Sequence, residues 1–224
     1  MSTAAPSAAH PAVPARRRSG AATLMPFIRQ SLAGLRLLIG LMVVLGLVYP
    51  LAVTGISQLT MRWQADGSLL TADGGRTDSA AASAGSALIG QDFTGAQWFH
   101  SRPSAGGWNT LASGGSNLGP TNPSLAGTVA QRRAAIAAEE GVSPADVPAD
   151  AVTASASGLD PDISPDYARL QVARVARENG LPAAQVSALV AGAITGRDLG
   201  FLGEPRVNVL QLNLALRNLE KMGQ

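Results

Sequence analysis

The sequence predicts an α+β extracytoplasmic domain carried behind a single N-terminal transmembrane helix. Three features point there: a charge-free apolar run near the N-terminus, a middle region of short apolar segments broken by Gly and Pro, and four helix-type patterns with recognisable start or stop residues in the C-terminal half. With one stretch of the 224 residues assigned to a membrane, the remainder has the size of one ordinary globular domain.

From Leu37 to Ile56 the chain reads LLIGLMVVLGLVYPLAVTGI, without a charge. At about 1.5 Å per residue, a helix of this length matches a hydrocarbon core of about 30 Å. Arg16, Arg17, Arg18, Arg29 and Arg36 precede the run and only Arg62 follows closely, so the positive-inside bias places the N-terminus in the cytoplasm and the bulk of the chain outside. A cleaved signal peptide is the competing reading, but its apolar region spans only about 7 to 15 residues and starts earlier. Pro50 is expected to kink the helix or change its packing, and Tyr49 and Trp63 to sit near the outer interface. Between Leu37 and Met61 there is no ionisable Asp, Glu, Lys, Arg or His, so this helix has no relay or ligand ring with which to conduct ions alone. Its small residues Gly40, Gly46 and Gly55 suit packing against partner helices.

The net charge of +2 invites a nucleic-acid reading that the distribution removes. Residues 57–224 carry 12 basic and 15 acidic residues, a net of −3, with no basic stripe interleaved with aromatics. The chain has no cysteine, which excludes disulfides, thiolate metal sites and Cys nucleophiles.

Four segments are expected: a disordered basic tail over 1–30, the membrane helix over 31–60, a linker over 61–86, and the outer domain over 87–224. The tail is Ala-, Pro-, Ser- and Arg-rich and too polar to bury a core. The Ala-, Gly-, Ser- and Asp-rich stretch from 65 to 86 reads as an irregular connection. Ala87–Phe93 and Gln97–His100 read as two short apolar strands or extended segments, and the Gly and Pro residues between 103 and 123 leave a long structured loop. One helix starts after Asn122-Pro123 and ends before Gly141. A second starts at Ser164-Pro165-Asp166, carries Ala168, Val172, Val175 and Ala176 on one stripe, and stops at Gly180. A third follows Leu181-Pro182, and the fourth runs from about Asn208 with Val209, Leu212, Leu216 and Leu219 on one face.

Enzyme signatures are missing. There is no Gly-x-Ser-x-Gly elbow, Ser-x-x-Lys, His-Glu-x-x-His, phosphate-cradling Gly-x-x-x-x-Gly-Lys or Asp-Lys-Thr-Gly phosphorylation motif. Outside the tail His100 is the sole histidine, and beside Trp98 and Phe99 it reads as a packed or rim residue. Ser113-Gly-Gly-Ser116-Asn117 has the residue types of a nucleophile loop, but equally those of a turn. Asp160, Asp162 and Asp166 lack the spacing, glycine and final Glu of an EF-hand, so no metal site is assigned and Asx turns before a helix explain them.

Five blocks then combine: Ala87-Leu-Ile-Gly-Gln91; Trp98-Phe-His-Ser-Arg102-Pro-Ser-Ala105; Ser113-Gly-Gly-Ser-Asn117-Leu-Gly-Pro120; Thr153-Ala-Ser-Ala-Ser-Gly-Leu-Asp160-Pro161; and Gly203-Glu-Pro-Arg-Val-Asn-Val-Leu210 with Leu212-Asn-Leu-Ala-Leu216. In this order, after one N-terminal helix, they resemble the KdpC family, the C subunits of Kdp-type potassium-transporting ATPases. The resemblance implies a non-catalytic subunit of a potassium-uptake complex in the cell inner membrane, assembled with a channel-like subunit that selects K⁺ and a P-type ATPase subunit that hydrolyses ATP. It also implies a role in raising the ATP affinity of the ATPase subunit. Because the charge bias puts the domain outside, any such effect is indirect, and no cofactor is assigned to the chain itself. Candidate contacts with the K⁺-selecting subunit are Arg102, Pro103 and Ser104 in one loop and Ser116 and Asn117 in the next, whereas Val209–Leu219 is expected in the core. The rival readings are a membrane-tethered periplasmic hydrolase using Ser116 and His100, and a solute-binding or sensor domain.

Overall fold

The computed structural model describes the backbone of residues 20–223 and the side chains of residues 24–221. The chain divides into two compact units, Met1–Ile56 and Ser57–Gln224. The tail expected over 1–30 lies outside the described residues as far as residue 19, and from Gly20 onward the chain is already helical.

The described part of the first unit belongs to one long apolar helix in three segments, α1 (Gly20–Val43), a π-helical turn (Val44–Val48) and α2 (Tyr49–Thr60), whose last four residues fall in the second unit. Every large apolar side chain from Leu24 to Leu59 is exposed, as expected of a helix whose solvent is lipid. The π-turn has a local cause. Pro50 has no N–H, and its ring crowds the carbonyl four residues back, so the preceding turn widens and the Tyr49 N–H donates to the Val44 carbonyl, five residues behind.

The second unit is the mixed helix and sheet domain. Residues 61–86 depart from the irregular connection expected of them. A short α3 (Arg62–Ala65) leads into an antiparallel sheet in the order β2-β1-β3, formed by β1 (Leu69–Thr71), β2 (Arg76–Thr77) and β3 (Ser83–Ser86). Gly and Ser hide these strands from a composition reading, because so few apolar positions are needed. Leu70 alone is buried in β1, and Trp63 fixes the sheet by donating its indole N–H to the Leu69 carbonyl at 2.8 Å. Ala87–Phe93 and Gln97–His100, expected as strands or extended segments, join no ladder: Ala87–Ile89 and Gln97–Trp98 are turns and bends, closed by bonds from the Ile89 N–H to the Ser86 carbonyl and from the Trp98 N–H to the Gly95 carbonyl.

Helix α4 (Pro123–Glu140) has the expected ends: the Asn122 side chain accepts from the Ser124 N–H, Pro123 opens the first turn, and Gly141 closes the helix at φ +70. After α5 (Ala149–Val152) comes β4 (Asp162–Ile163). The helix expected from Ser164 to Gly180 is two helices, α6 (Pro165–Leu170) and α7 (Val172–Glu178), interrupted at Gln171. Helix α8 (Ala183–Ala193) runs into β5 (Ile194–Thr195), and β6 (Arg206–Asn208) runs into α9 (Val209–Gly223). The second sheet has the order β4-β6-β5, all antiparallel.

Helix α9 serves two apolar clusters. Val209, Leu212 and Leu216 enter the main core with Phe99, Val175, Val186 and Val190, while Leu210 and Leu214 turn to Leu70 and Ala87 under the small sheet. Asn218 donates to the Asp73 carbonyl at 2.9 Å and Arg217 to that of Ala72, tying the β1–β2 turn to the same helix.

Candidate functional site

The polar chemistry of the domain is concentrated on two segments outside the ladders, and it explains why neither needs a strand partner. Segment 96–100 carries the buried Phe99 into the core, and side chains satisfy much of its backbone. Asn213 accepts from the Phe99 N–H and donates to the Phe99 carbonyl, both at 2.9 Å, and Gln171 does the same for His100 at 2.6 and 3.2 Å. Two helix-borne amides thus replace the neighbouring strand of a ladder. The fully buried Arg174 donates to the carbonyls of Ala96 and Trp98 (2.9 Å to the latter), to Gln171 Oε1 at 2.9 Å and to Glu140 Oε1 at 2.9 Å. Burial pushes the Glu140 carboxyl above its usual range, while the Arg174 guanidinium opposes that shift. Burial also raises the Tyr167 phenol nearby. The break at Gln171 falls at the residue whose side chain serves His100, although its carbonyl still accepts from the Val175 N–H at 3.0 Å.

The second segment is the long loop after His100, which is sewn onto residues 153–160. Arg102 Nη1 donates to Asp160 Oδ2 at 2.7 Å, and Nη2 reaches the Thr153 carbonyl at 3.4 Å. The Ser155 N–H donates to the Pro103 carbonyl at 2.9 Å, and Ser104 Oγ donates to the Gly158 carbonyl at 2.7 Å while accepting from the Trp108 N–H. Further on, the Gly114 N–H and Ser113 Oγ both donate to the Ser157 carbonyl, at 2.8 and 2.9 Å. Within the 153–160 turn, the buried Ser155 hydroxyl accepts from the N–H groups of Gly158 and Asp160.

Two glycines permit this close approach. Gly90 donates its N–H to the Leu159 carbonyl, and a Cβ there would collide with the Asp160 carbonyl and lie 2.7 Å from Trp108 Cζ3. Gly158 adopts φ +72, and a Cβ would lie 2.9 Å from the Gly114 carbonyl. The last of the five sequence blocks joins the same assembly: Asn208 donates to the Ala87 carbonyl at 2.9 Å and to Asp162 Oδ1 at 3.2 Å, and the Val209 N–H donates to the Pro161 carbonyl at 3.0 Å. Burial raises the Asp162 carboxyl, with the Asn208 amide and then Arg206 opposing it.

The candidate contact residues therefore separate into two kinds. Arg102, Pro103 and Ser104 are half-buried and face the 153–160 segment of the same chain, while Ser116 and Asn117 are exposed, Asn117 in the left-handed region at φ +53. Ser116 and His100 are not joined by any hydrogen bond among the described residues. The His100 ring faces the Gly95 carbonyl through Nε2 at 3.1 Å and Glu139 through Nδ1 at 3.5 Å, and it lines a groove with Asp92, Arg102 and Trp108 to which Ser116 does not contribute. Among the described residues no group of three His, Asp or Glu side chains is gathered as a metal site. Sequence reasoning missed Gln171, Arg174 and Asn213. Their signal was polarity at positions flanked by Val172, Val175, Leu212 and Leu214.

Arg102→Ala is expected to cost at most about 1 kcal/mol of domain stability, because the two side chains of the Arg102–Asp160 pair are 26% and 38% exposed. Its larger effect should be local. Limited proteolysis or amide exchange should show loosening of residues 101–118, with Arg102→Lys recovering only part of the protection because one ammonium does not replace two fork donors. Unaltered protection in Arg102→Ala would mean that the backbone and serine bonds alone hold the loop.

A long exposed apolar helix followed by a mixed domain, whose polar groups cross-link its own loops, defines the class: a helix and sheet domain carried behind a single apolar helix long enough to cross a membrane. The family described as KdpC, K⁺-transporting ATPase, c chain, matches residues 31–218. A "Potassium-transporting ATPase KdpC subunit" of Kineococcus radiotolerans is 53% identical over 197 residues, covering 87% of this chain and 96% of the relative. Proteins of the same name from Gemmatimonas aurantiaca and Mycobacterium tuberculosis are 53% identical over 182 residues and 50% identical over 195 residues, covering 80% and 85% of this chain and 87% and 99% of the relatives. The chain belongs to the KdpC family, the accessory c chains of K⁺-transporting ATPases.

Proposed function

We propose that this chain is the assembly subunit of an ATP-driven potassium-uptake complex of the cell inner membrane, with its N-terminus cytoplasmic and its α+β domain extracytoplasmic. Membership of the KdpC family carries the reading. The direction rests on the arginines that precede the charge-free run. Its partners are a channel-like subunit that selects K⁺ and a P-type ATPase subunit. The exposed Ser116–Asn117 segment makes the contact with the K⁺-selecting subunit, and it follows Ser113 and Gly114, which are bonded to the Ser157 carbonyl. Any influence on the ATP affinity of the ATPase subunit passes through the assembled complex, since ATP is cytoplasmic and this domain lies on the other side.

One experiment tests partnership and direction together. The native chain has no cysteine, and Ser124 is exposed at the start of α4. Cells carrying Ser124→Cys, with a permeabilised outer membrane, are treated with an impermeant thiol reagent, and the chain is then purified from membranes in mild detergent. Labelled chain that brings down a large polytopic partner and an ATP-hydrolysing subunit is the expected result. Recovery as a lone monomer would overturn the assembly role, and protection until lysis, followed by labelling, would overturn the direction.

A further inference from the structure

We propose that the first turn of the domain binds the zwitterionic headgroup of a phospholipid carrying a primary ammonium, through Arg62, Trp63, Asp66, Arg76 and Asp78. The inference rests on the reading that the apolar helix crosses a membrane. These five residues line one cleft together with Thr77. Covalent distance alone puts it at the membrane surface: the apolar helix ends at Thr60, and two residues span at most about 7 Å.

Its charges alternate. Arg62 lies 3.7 Å from Asp66 and 3.5 Å from Asp78, long ion pairs whose arginine is 72% exposed, so they hold little energy against exchange for another partner. The Arg76 guanidinium lies over the Trp63 ring at 4.3 Å, which orients it at small entropic cost while its N–H donors remain free of the ring face. Trp63 is itself fixed by its bond to the Leu69 carbonyl, and Asp66 by Gln58, whose amide donates to it at 2.7 Å. The cleft thus presents two guanidinium groups and two carboxylates with no net charge. A purely anionic headgroup would meet Asp66 and Asp78 unfavourably. A headgroup with a phosphate and an ammonium a few ångströms apart satisfies both signs: the phosphate takes the place of the carboxylates at the arginines, and the ammonium donates to the carboxylates released. A quaternary ammonium has no N–H for that second contact.

The test uses the full chain, reconstituted into vesicles of equal parts phosphatidylethanolamine, phosphatidylcholine and phosphatidylglycerol, re-extracted in mild detergent and weighed by native mass spectrometry with its retained lipid. The wild type should retain phosphatidylethanolamine about fivefold over each of the others, the ratio expected of roughly 1 kcal/mol of charge contact. Arg62→Ala/Arg76→Ala should abolish the preference with the circular dichroism unchanged. Asp66→Asn/Asp78→Asn should invert it toward phosphatidylglycerol, because the cleft then carries two uncompensated cations. Equal retention of all three lipids by the wild type, or a preference that survives the double arginine variant, would overturn the proposal. Full displacement by soluble glycerophosphoethanolamine would overturn the lipid as its source. Failure of the underlying reading looks different, since the chain would then fail to enter vesicles at all.

Discussion

Arg174→Met is expected to lower the stability of the full chain by about 3–5 kcal/mol, the scale on which removal of one partner strands a buried charge, and the melting temperature by about 10 °C or more. Arg174 is 1% exposed and Glu140 only 2%, so Glu140 would keep its desolvation without its counter-charge, and the Ala96 and Trp98 carbonyls would lose their donor. Two controls separate charge from packing. Arg174→Met/Glu140→Leu should be more stable than Arg174→Met alone, because the second change removes the unpaired charge. The pH response has a definite sign. Glu140 titrates above its unfolded value of 4.5, so its contribution to stability is full below that value and is lost as pH rises through the folded one. Removing Arg174 takes away an interaction that lowers the Glu140 value, widening that window. The variant should therefore regain part of its deficit on acidification toward pH ~5. A deficit independent of pH, with no recovery in the double variant, would assign the effect to lost packing.

Asn213→Leu keeps the branched heavy-atom skeleton of the side chain and removes both bonds to the Phe99 backbone, in a region where Phe99 is fully buried and Asn213 is 1% exposed. The expected loss is about 2–5 kcal/mol, from two backbone groups that keep their burial and lose their partners. Asparagine is used because one planar amide serves an N–H and a C=O of the same residue at once. Asn213→Asp should also be severe, since a carboxylate faces the Phe99 carbonyl with no proton to give. Chemical unfolding that gives Asn213→Leu a stability within about 0.5 kcal/mol of the wild type would mean that solvent reaches Phe99, the only way those groups can be satisfied without Asn213.

Much of the architecture is written locally and was legible. The charge-free helix depends only on residue polarity along about twenty positions. The ends of α4 depend on Asn122, Pro123 and Gly141, each acting on the backbone within one turn. The five sequence blocks pointed to the family before any contact was known, and the structure shows what they share: Arg102, Ser104 and Asn208 bond across distances of 46 to 121 residues in the pairs Arg102–Asp160, Ser104–Gly158, Asn208–Asp162 and Asn208–Ala87.

What the sequence by itself determined, then, was every feature whose cause lies within a turn or two of chain: the apolar helix, the caps, the turn-forming glycines and the absence of known catalytic signatures. Only the tertiary structure decided how the segments outside the ladders are satisfied. Gln97–His100 has the residue types of a strand, yet its backbone partners are the side chains of Gln171, Arg174, Asn179 and Asn213, which lie more than seventy residues away. Periodicity registers burial but is blind to the source of a hydrogen bond, so it predicted a continuous helix through Gln171 and an irregular linker where Leu69–Thr71 pairs with Ser83–Ser86. Arg102 was legible as a fork donor beside a rigid proline, and Asp160 as a turn-forming carboxylate, but the bond between them exists only because the loop and the 153–160 turn are folded against each other.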